Sequence, residues 1–581
     1  MVLTQEDKLI LESELQAKKD IYIDSVALAQ IDKEITNQDI ELGDKLENYR
    51  ILINSDNSWG KTGNCPLLPS QRKKSKGDIR SVKGGMVTAI WSTINSRALL
   101  IGTAEESNYP LTYLWTKPQN HSQAGFSLYK SIGTNLKQDK VYQLGKVVFS
   151  GTKDITSELE AYAENYFNFD SKTDKKIIGW SSWDYYLANP KMIDIQENIN
   201  SIKNNSYLKG KINLISIDLG WSKIEGDWRS NIDFPKHREN IADYIHSEGF
   251  KAGIWTMPLV VSPFSDIACR KPKWLIKDSD GFPVNVNKGQ YDDAKFSLDP
   301  TIPQVSSYIF DLYRTLKDEG FEYFKLDFLR QSCRFPEYSL FDKQITRTEM
   351  LRKMIKTIRK AVGKDSVICA CGAPFEAVQG LVDYIRVCDD VKNHWSNIQR
   401  SARSIIHRFW SHKRLWNIDS DFLIVRGSET ADISEDRFIT YHNITHEPFH
   451  WLSGKTLSEN EAKVWASICV MTGSCLILGD RVEKLNPRGL EVIKQAIENQ
   501  KESFFRPLDL EVSSMPSIWH RFDNNGNEMY AFFNFTEKSK EIDLNKYNIA
   551  GDFESIWESN SITTPTTLII PSRNVVLLKK I

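Results

Sequence analysis

EYFKLDF, residues 322–328, is the stretch that decides the fold. It is a short, mostly apolar run that ends in charge. A strand of that texture is buried on both faces, as parallel strands covered by helices are. An amphipathic stretch precedes it, QVSSYIFDLYRTLKDEG (304–320). Another follows, TRTEMLRKMIKTIRKAVG (347–364), with Gly363 placed as a helix C-cap. The same alternation continues in both directions. Upstream are KKIIGWSSW (175–183), KINLISIDLGW (211–221) and KAGIWTMP (251–258), with the helical RENIADYIHSEG (238–249) before the last of these. Downstream are SVICACG (366–372), YIRVCDD (384–390), RLWNIDSDFLIV (414–425) and SCLILGD (474–480). About eight strand–helix units in series predict an α/β fold with a central (β/α)8 TIM barrel. The competing architecture is an open doubly wound sheet, but no Gly-rich phosphate loop follows any strand.

The flanks differ in texture. VTAIWSTI (87–94), RALLIGTAE (97–105), YPLTYLWT (109–116) and KVYQLGKVVFSG (140–151) are strand-like runs separated by turn residues, which predicts an N-terminal β-sandwich. A helix is expected over 155–169, then a polar linker, SKTDKK (171–176). After the barrel, SIWHRF (517–522), NEMYAFFNF (527–535), ESIWES (554–559) and NVVLLKKI (574–581) predict a small antiparallel β-domain. The expected organisation is 1–170 sandwich plus linker helix, 171–502 barrel, and 503–581 C-terminal β-domain.

The 581 residues carry 75 basic and 76 acidic side chains, a formal net charge of −1. That balance offers no electrostatic footprint for nucleic acid or an anionic membrane, and neither is expected as a partner. The N-terminus shows no basic region followed by an apolar stretch, and no run approaches the ~18 apolar residues of a spanning helix. A cytoplasmic location is the expectation, although a secreted or periplasmic protein trimmed of its signal reads the same. The eight Cys, at 65, 269, 333, 369, 371, 388, 469 and 475, fit no zinc or redox spacing and are read as free thiols. With ten His, none at HExxH-like spacing, no metal or other cofactor is expected. No GxSxG elbow supplies a serine nucleophile.

Active sites of such barrels lie at the C-terminal ends of the strands. That rule selects Asp218 and Trp221, Trp255, Lys325 and Asp327, Cys371 and Gly372, Arg386 with Asp389 and Asp390, and Asp419 with Asp421. Carboxylates, one Lys, one Arg and several Trp describe a sugar pocket. Alternation along a strand puts Lys325 and Asp327 on one face, and Arg386, Cys388 and Asp390 on one face with Asp389 opposite. Glycosidic cleavage needs two carboxyl groups in different protonation states. Lys325 beside Asp327 favours an ionised nucleophile. A second carboxyl must hold a proton, and Asp389 beside Asp390 is expected to help raise it. The plainer alternatives are that Asp419 and Asp421 only cap the loop after strand seven, and that Cys371 is a small buried filler.

Taken in order, GWSSW (179–183), GDWRSNIDFP (226–235), GIWTMPLVVSPFSD (253–266), YFKLDFL (323–329), CGAP (371–374), IRVCDD (385–390) and LWNIDSDFLIVR (415–426) resemble the α-galactosidases of glycoside hydrolase family 36. They resemble family 27 and the raffinose-synthase-like enzymes more loosely. The resemblance spans about 176–480. It implies a retaining α-glycosidase with Asp327 as nucleophile and Asp390 as acid/base. It implies that Lys325 and Arg386 bind sugar hydroxyls, that Trp183 and Trp255 wall the pocket, and that Cys371 lines it. Asp218 matches the first of an Asp pair that holds the C4 and C6 hydroxyls of galactose, and Trp59 matches a Trp extended over the pocket from the N-terminal domain. The implied substrate is an α-linked oligosaccharide or glycoconjugate, and family relatives often form homo-oligomers. The sequence departs from the family at Leu219, which stands where the second Asp of that pair would be. Loss of a charged acceptor there costs roughly 1.5–3 kcal/mol of binding to one hydroxyl. A glycon altered at C4 or C6 is the alternative this raises. A transglycosidase uses the same two carboxylates. A carbohydrate-binding protein on a dead barrel and a TIM-barrel lyase or aldolase are the readings from other classes.

Overall fold

The computed structural model describes residues 7–31, 41–68, 81–116, 125–169, 176–234, 239–288, 293–335, 339–434, 455–558, 560–563 and 566–581. Eight parallel strands form its central sheet: β1 (Ile178–Ser181), β2 (Leu214–Ile217), β3 (Lys251–Thr256), β4 (Tyr323–Leu326), β5 (Val367–Ala370), β6 (Tyr384–Arg386), β7 (Asn417–Asp419) and β8 (Leu476–Leu478). Neighbours follow chain order from β1 to β7, and β8 pairs with β1. A parallel bridge from Leu423 to Leu478 joins the remaining seam, so the segment just after β7 closes the barrel. Leu423 N donates to Ile477 O at 2.7 Å across that seam. This is the (β/α)8 barrel expected from the run of apolar strands. Ile215, Ile254, Phe324, Ile368, Ile385 and Ile418 are fully buried, which is why most of these strands read as apolar runs.

The helices are set by local signals. Arg347–Val362 begins where the Thr346 side chain accepts from Glu349 N and ends at Gly363, whose φ of +79° closes the last turn. Pro303–Asp318 starts on proline, whose missing N–H costs nothing at that position. Glu239–Ser247 covers most of the third helix read from sequence. No helix among the described residues is long and apolar enough to cross a membrane.

Ahead of the barrel, two antiparallel sheets of six and four strands face each other. Ile51, Ile90 and Val147 from one sheet meet Tyr113, Trp115 and Leu128 from the other. The four strand runs read from sequence are present, and the helix over Ile155–Tyr166 follows them. The long strands Lys8–Gln16 and Ile21–Ile31 were not legible in the sequence; they lie at sheet edges with polar residues at most exposed positions, so their apolar signal is weak. The linker 171–176 falls outside the described residues except for its last one. After the barrel, a six-stranded antiparallel sheet and a two-stranded one enclose Ile518, Phe532, Phe553 and Leu578. Arg521 fastens this sheet to the barrel, Nη1 donating to Val470 O at 2.9 Å and Asn499 O at 2.8 Å.

Candidate active site

The registry of the barrel brings the sequence-selected residues to one end. Trp255 on β3 stands level with Lys325 on β4, and Arg386 on β6 level with Asp419 on β7. Asp327 follows β4 and is half-buried. Its Oδ2 accepts from Trp255 Nε1 at 3.0 Å and its Oδ1 from Phe328 N at 2.7 Å, so both oxygens are oriented. Phe328 has φ of +54°, a conformation that a bulky side chain adopts only under constraint from its surroundings.

Lys325 is buried and donates to Asp218 Oδ2 at 2.8 Å. Burial opposes its charge, but Asp218 and then Asp327 outweigh burial and hold the ammonium protonated well above its ordinary range. Burial raises the Asp218 carboxyl against the pull of Lys325. Leu219 N donates to Asp218 Oδ1, and the Leu219 side chain packs half-buried on the core.

Arg386, 1% exposed, is gripped by three carboxylates. Nε donates to Asp419 Oδ2 at 3.1 Å, Nη1 to Asp390 Oδ1 at 3.2 Å, and Nη2 lies 2.5 Å from Asp421 Oδ1. Asp419 also accepts from Asp421 N in the segment after β7, whereas Asp421 accepts from Val391 N in the segment after β6. Their larger part is to fix Arg386, which capping alone does not describe. Burial, reinforced by Asp390 and Asp419 against the pull of Arg386, pushes Asp421 up to about 7. The Phe422 ring lies 5.1 Å from Lys325 Nζ and 5.6 Å from the Arg386 guanidinium carbon, a shared aromatic face for two cations.

The expectation that Asp389 raises Asp390 needs correction. Burial raises Asp390, but Lys392, Arg386, Lys325 and Arg400 together hold it below the usual carboxylate range. The raised carboxyl is Asp389, through burial first and then the charge of Asp390. The two side chains point apart: Asp389 reaches Arg400 at 2.5 Å, while Asp390 turns into the cationic cluster with Lys392 Nζ at 4.0 Å.

Cys371 is enclosed by this group. Burial pushes its thiol well above the ordinary value, Asp327 and Asp390 add to that, and Arg386 and Lys325 oppose it. One buried sulfur therefore lies within electrostatic reach of Asp327, Lys325, Arg386 and Asp390, four of the five charged residues singled out for catalysis and binding. All eight cysteines are free thiols. Among the described residues no group of His, Cys, Asp and Glu is arranged to hold a metal ion.

The two remaining aromatic residues are placed differently. Trp183 opens the short helix Trp183–Tyr186 after β1 and is half-buried. Trp59 arrives from the N-terminal sandwich and rests on Gly372 at the end of β5, where a Cβ would come within 2.4 Å of its ring. Its ring meets Phe328 edge-on at 5.9 Å. Sequence reasoning missed a second ionic cluster at the ends of β1 and β8. There Arg426 Nη1 lies 2.6 Å from Asp184 Oδ2 and 2.8 Å from Asp480 Oδ1. Nothing in the spacing of three residues so far apart in the chain announces it.

Residues 195–360 match the Melibiase family model. The Melibiase match takes in Asp218, Trp255, Lys325 and Asp327, and ends before Cys371, Arg386 and Asp390. An α-galactosidase from Oryza sativa subsp. japonica is 27% identical over 84 residues, 14% of this chain and 20% of that protein. The match thus spans about a fifth of the length of that curated relative. The fold is similar to that of a Thermus thermophilus α-galactosidase solved with p-nitrophenyl α-D-galactopyranoside, with a TM-score of 0.60, 19% identity, and coverage of 81% of this chain and 89% of that one. An α-galactosidase from Lactobacillus brevis gives a TM-score of 0.62 at 14% identity, over 92% of this chain and 73% of its own.

Proposed function

We propose that the protein is a retaining, exo-acting α-glycoside hydrolase of α-galactosidase type, with Asp327 as nucleophile and Asp390 as acid/base. The observation that carries this reading is the geometry at the C-terminal end of the barrel: Trp255 aims Asp327 at 3.0 Å, Arg386 holds Asp390 at 3.2 Å, and the Phe422 ring lies 5.1 Å from Lys325 and 5.6 Å from Arg386. Asp327, aimed by Trp255 and its own backbone, attacks the anomeric carbon. Asp390 protonates the departing oxygen, and a covalent glycosyl-enzyme forms. Asp390 then takes a proton from water, which releases the sugar with its configuration retained. Lys392 and Arg386 hold Asp390 ionised, with 34% of its side chain exposed. A bound glycoside covers that exposed part, and desolvation then favours the protonated form the first step needs.

Lys325 and Asp218 offer a donor and an acceptor to the glycon, and the half-buried Trp59 and Trp183 the apolar faces, while Trp255, 1% exposed, acts by orienting Asp327. The p-nitrophenyl α-D-galactopyranoside held by the Thermus thermophilus enzyme is the first substrate to test. Leu219 favours a second reading of the glycon, a galactose altered at C4 or C6, such as a 6-deoxy sugar or a pentopyranose; an α-N-acetylgalactosaminide, altered at C2, is a further related glycon. A raffinose-synthase-like transglycosidase uses the same pair and differs in its acceptor. Initial rates on aryl α-glycosides of galactose, N-acetylgalactosamine, fucose, arabinopyranose and glucose test the proposal. Release from at least one, abolished in a folded Asp327→Ala variant, is the expected result. Full activity in that variant would overturn the assignment.

A further inference from the structure

Arg408 follows the helix Trp395–Ile406, and its guanidinium, 1% exposed, faces neutral groups on two parts of the molecule. On the sandwich side, Nε donates to Asn54 Oδ1 at 3.1 Å, and Nη2 donates to Asn57 O at 3.2 Å, Ser55 O at 3.4 Å and Thr62 Oγ1. On the barrel side, Nη1 donates to Val387 O, the residue directly after Arg386, and to Ser404 Oγ at 2.6 Å. The Phe375 ring covers one face at 4.7 Å. No carboxylate among the described residues pairs with it. A buried cation without a counter-ion is a costly choice for stability alone, and its five donors in a rigid fork are what reaches both sides at once.

The loop it grips is the turn of a hairpin. Tyr49–Ile53 and Gly63–Pro66 pair antiparallel, with Ile53 opposite Gly63, and residues 54–62 project from them onto the barrel. Within the loop, Asn57 Oδ1 accepts from Trp59 N at 2.9 Å, and Gly60 sits so close to Ser55 that a Cβ would overlap its Oγ. Asp56 O accepts from Phe375 N at 2.8 Å. The loop is thus fastened at Val387 through Arg408 and at Phe375 directly, and Trp59 rests between them on Gly372.

We propose that Arg408 is a positioning residue for substrate binding: it ties loop 54–62 to the Val387 carbonyl and so holds Trp59 against Gly372 beside Asp327. The claim about substrate rests on the proposed glycosidase activity; the claim about the loop does not. Arg408→Lys keeps the charge but loses the fork. Thr62→Val removes one loop-side acceptor and leaves the guanidinium its other bonds, which keeps the test open where Arg408→Lys fails to fold. Hydrogen exchange followed by mass spectrometry on peptides covering 54–62 is read beside kcat and KM for p-nitrophenyl α-D-galactopyranoside. The expected result is faster exchange in the loop with the barrel strands unchanged. KM rises about tenfold while kcat stays within about threefold, the pattern of lost uniform binding. Trp59→Ala alone should raise KM equally, and adding Arg408→Lys to it should change KM no further, since the two act through one contact. Wild-type exchange in the loop of both variants, or additive effects of Arg408→Lys and Trp59→Ala on KM, would overturn the proposal. Absence of turnover by the unmodified protein would overturn the glycosidase reading instead, and the exchange measurement would still decide whether Arg408 holds the loop.

Discussion

Lys325 and Asp218 form an ion pair inside the barrel, Nζ to Oδ2 at 2.8 Å, with side-chain exposures of 6% and 2%. Burial of two charges is tolerable only because each is the other's partner. Lys325→Met or Asp218→Asn alone leaves an uncompensated charge and should cost about 3–5 kcal/mol in urea unfolding. The double variant should recover much of that loss while remaining inactive. Single variants with stability near that of the unmodified protein would show that the pair does not hold the site together.

Two buried histidines set a pH limit. Ile418 N donates to His412 Nδ1, and His412 Nε2 lies 3.1 Å from Ser503 O, an arrangement that suits a neutral ring protonated on Nε2. Burial lowers His412 to about 3, with Lys413 adding to it, and burial lowers His407 to about 3 as well. Both folded values lie below the unfolded value of about 6.5, so protons bind the unfolded chain more tightly. Their stabilisation is complete above about pH 6.5 and is lost as pH falls toward 3, at about 1.4 kcal/mol per pH unit for each ring. His412→Asn should flatten that slope in unfolding midpoints measured from pH 7 to 4. An unchanged slope would contradict the neutral assignment.

Lys392 is the foremost of the cations that hold Asp390 ionised against burial. Lys392→Met should therefore raise the carboxyl in the free protein. The basic limb of the kcat/KM profile, which reports the group that must be protonated, should move to higher pH while the acidic limb stays. A basic limb that does not move would take the acid role away from Asp390.

Leu219 bears on the sugar. Leu219→Asp places a carboxylate beside Asp218. If the natural glycon is galactose altered at C4 or C6, the variant should favour the plain galactoside over the 6-deoxy analogue by roughly 10- to 100-fold more than the unmodified protein does, the size of one charge-assisted hydrogen bond. Equal preference before and after would remove Leu219 from specificity.

The barrel was legible because each parallel strand, buried on both faces, lies in a short and mostly apolar run, and because its C-terminal end is where charge gathers. EYFKLDF and YIRVCDD gave Asp327 and Asp390 on that ground. What stayed hidden depends on contacts between distant segments. The grip of Asp419 and Asp421 on Arg386 spans more than thirty residues, and that of Arg408 on Thr62 spans 346. Adjacency misled at Asp389, since neighbouring residues on an extended backbone point opposite ways and only one of this pair meets Lys392.

The central claim is that Asp327 is the nucleophile. The most direct measurement is the anomeric configuration of the product formed by Asp327→Gly from an activated aryl α-galactoside in the presence of azide, followed by NMR. The account predicts a variant inactive without azide and, with it, a β-configured glycosyl azide, because azide enters the space the carboxylate leaves and attacks from the face opposite the leaving group. Hydrolysis at the unmodified rate without azide would contradict it.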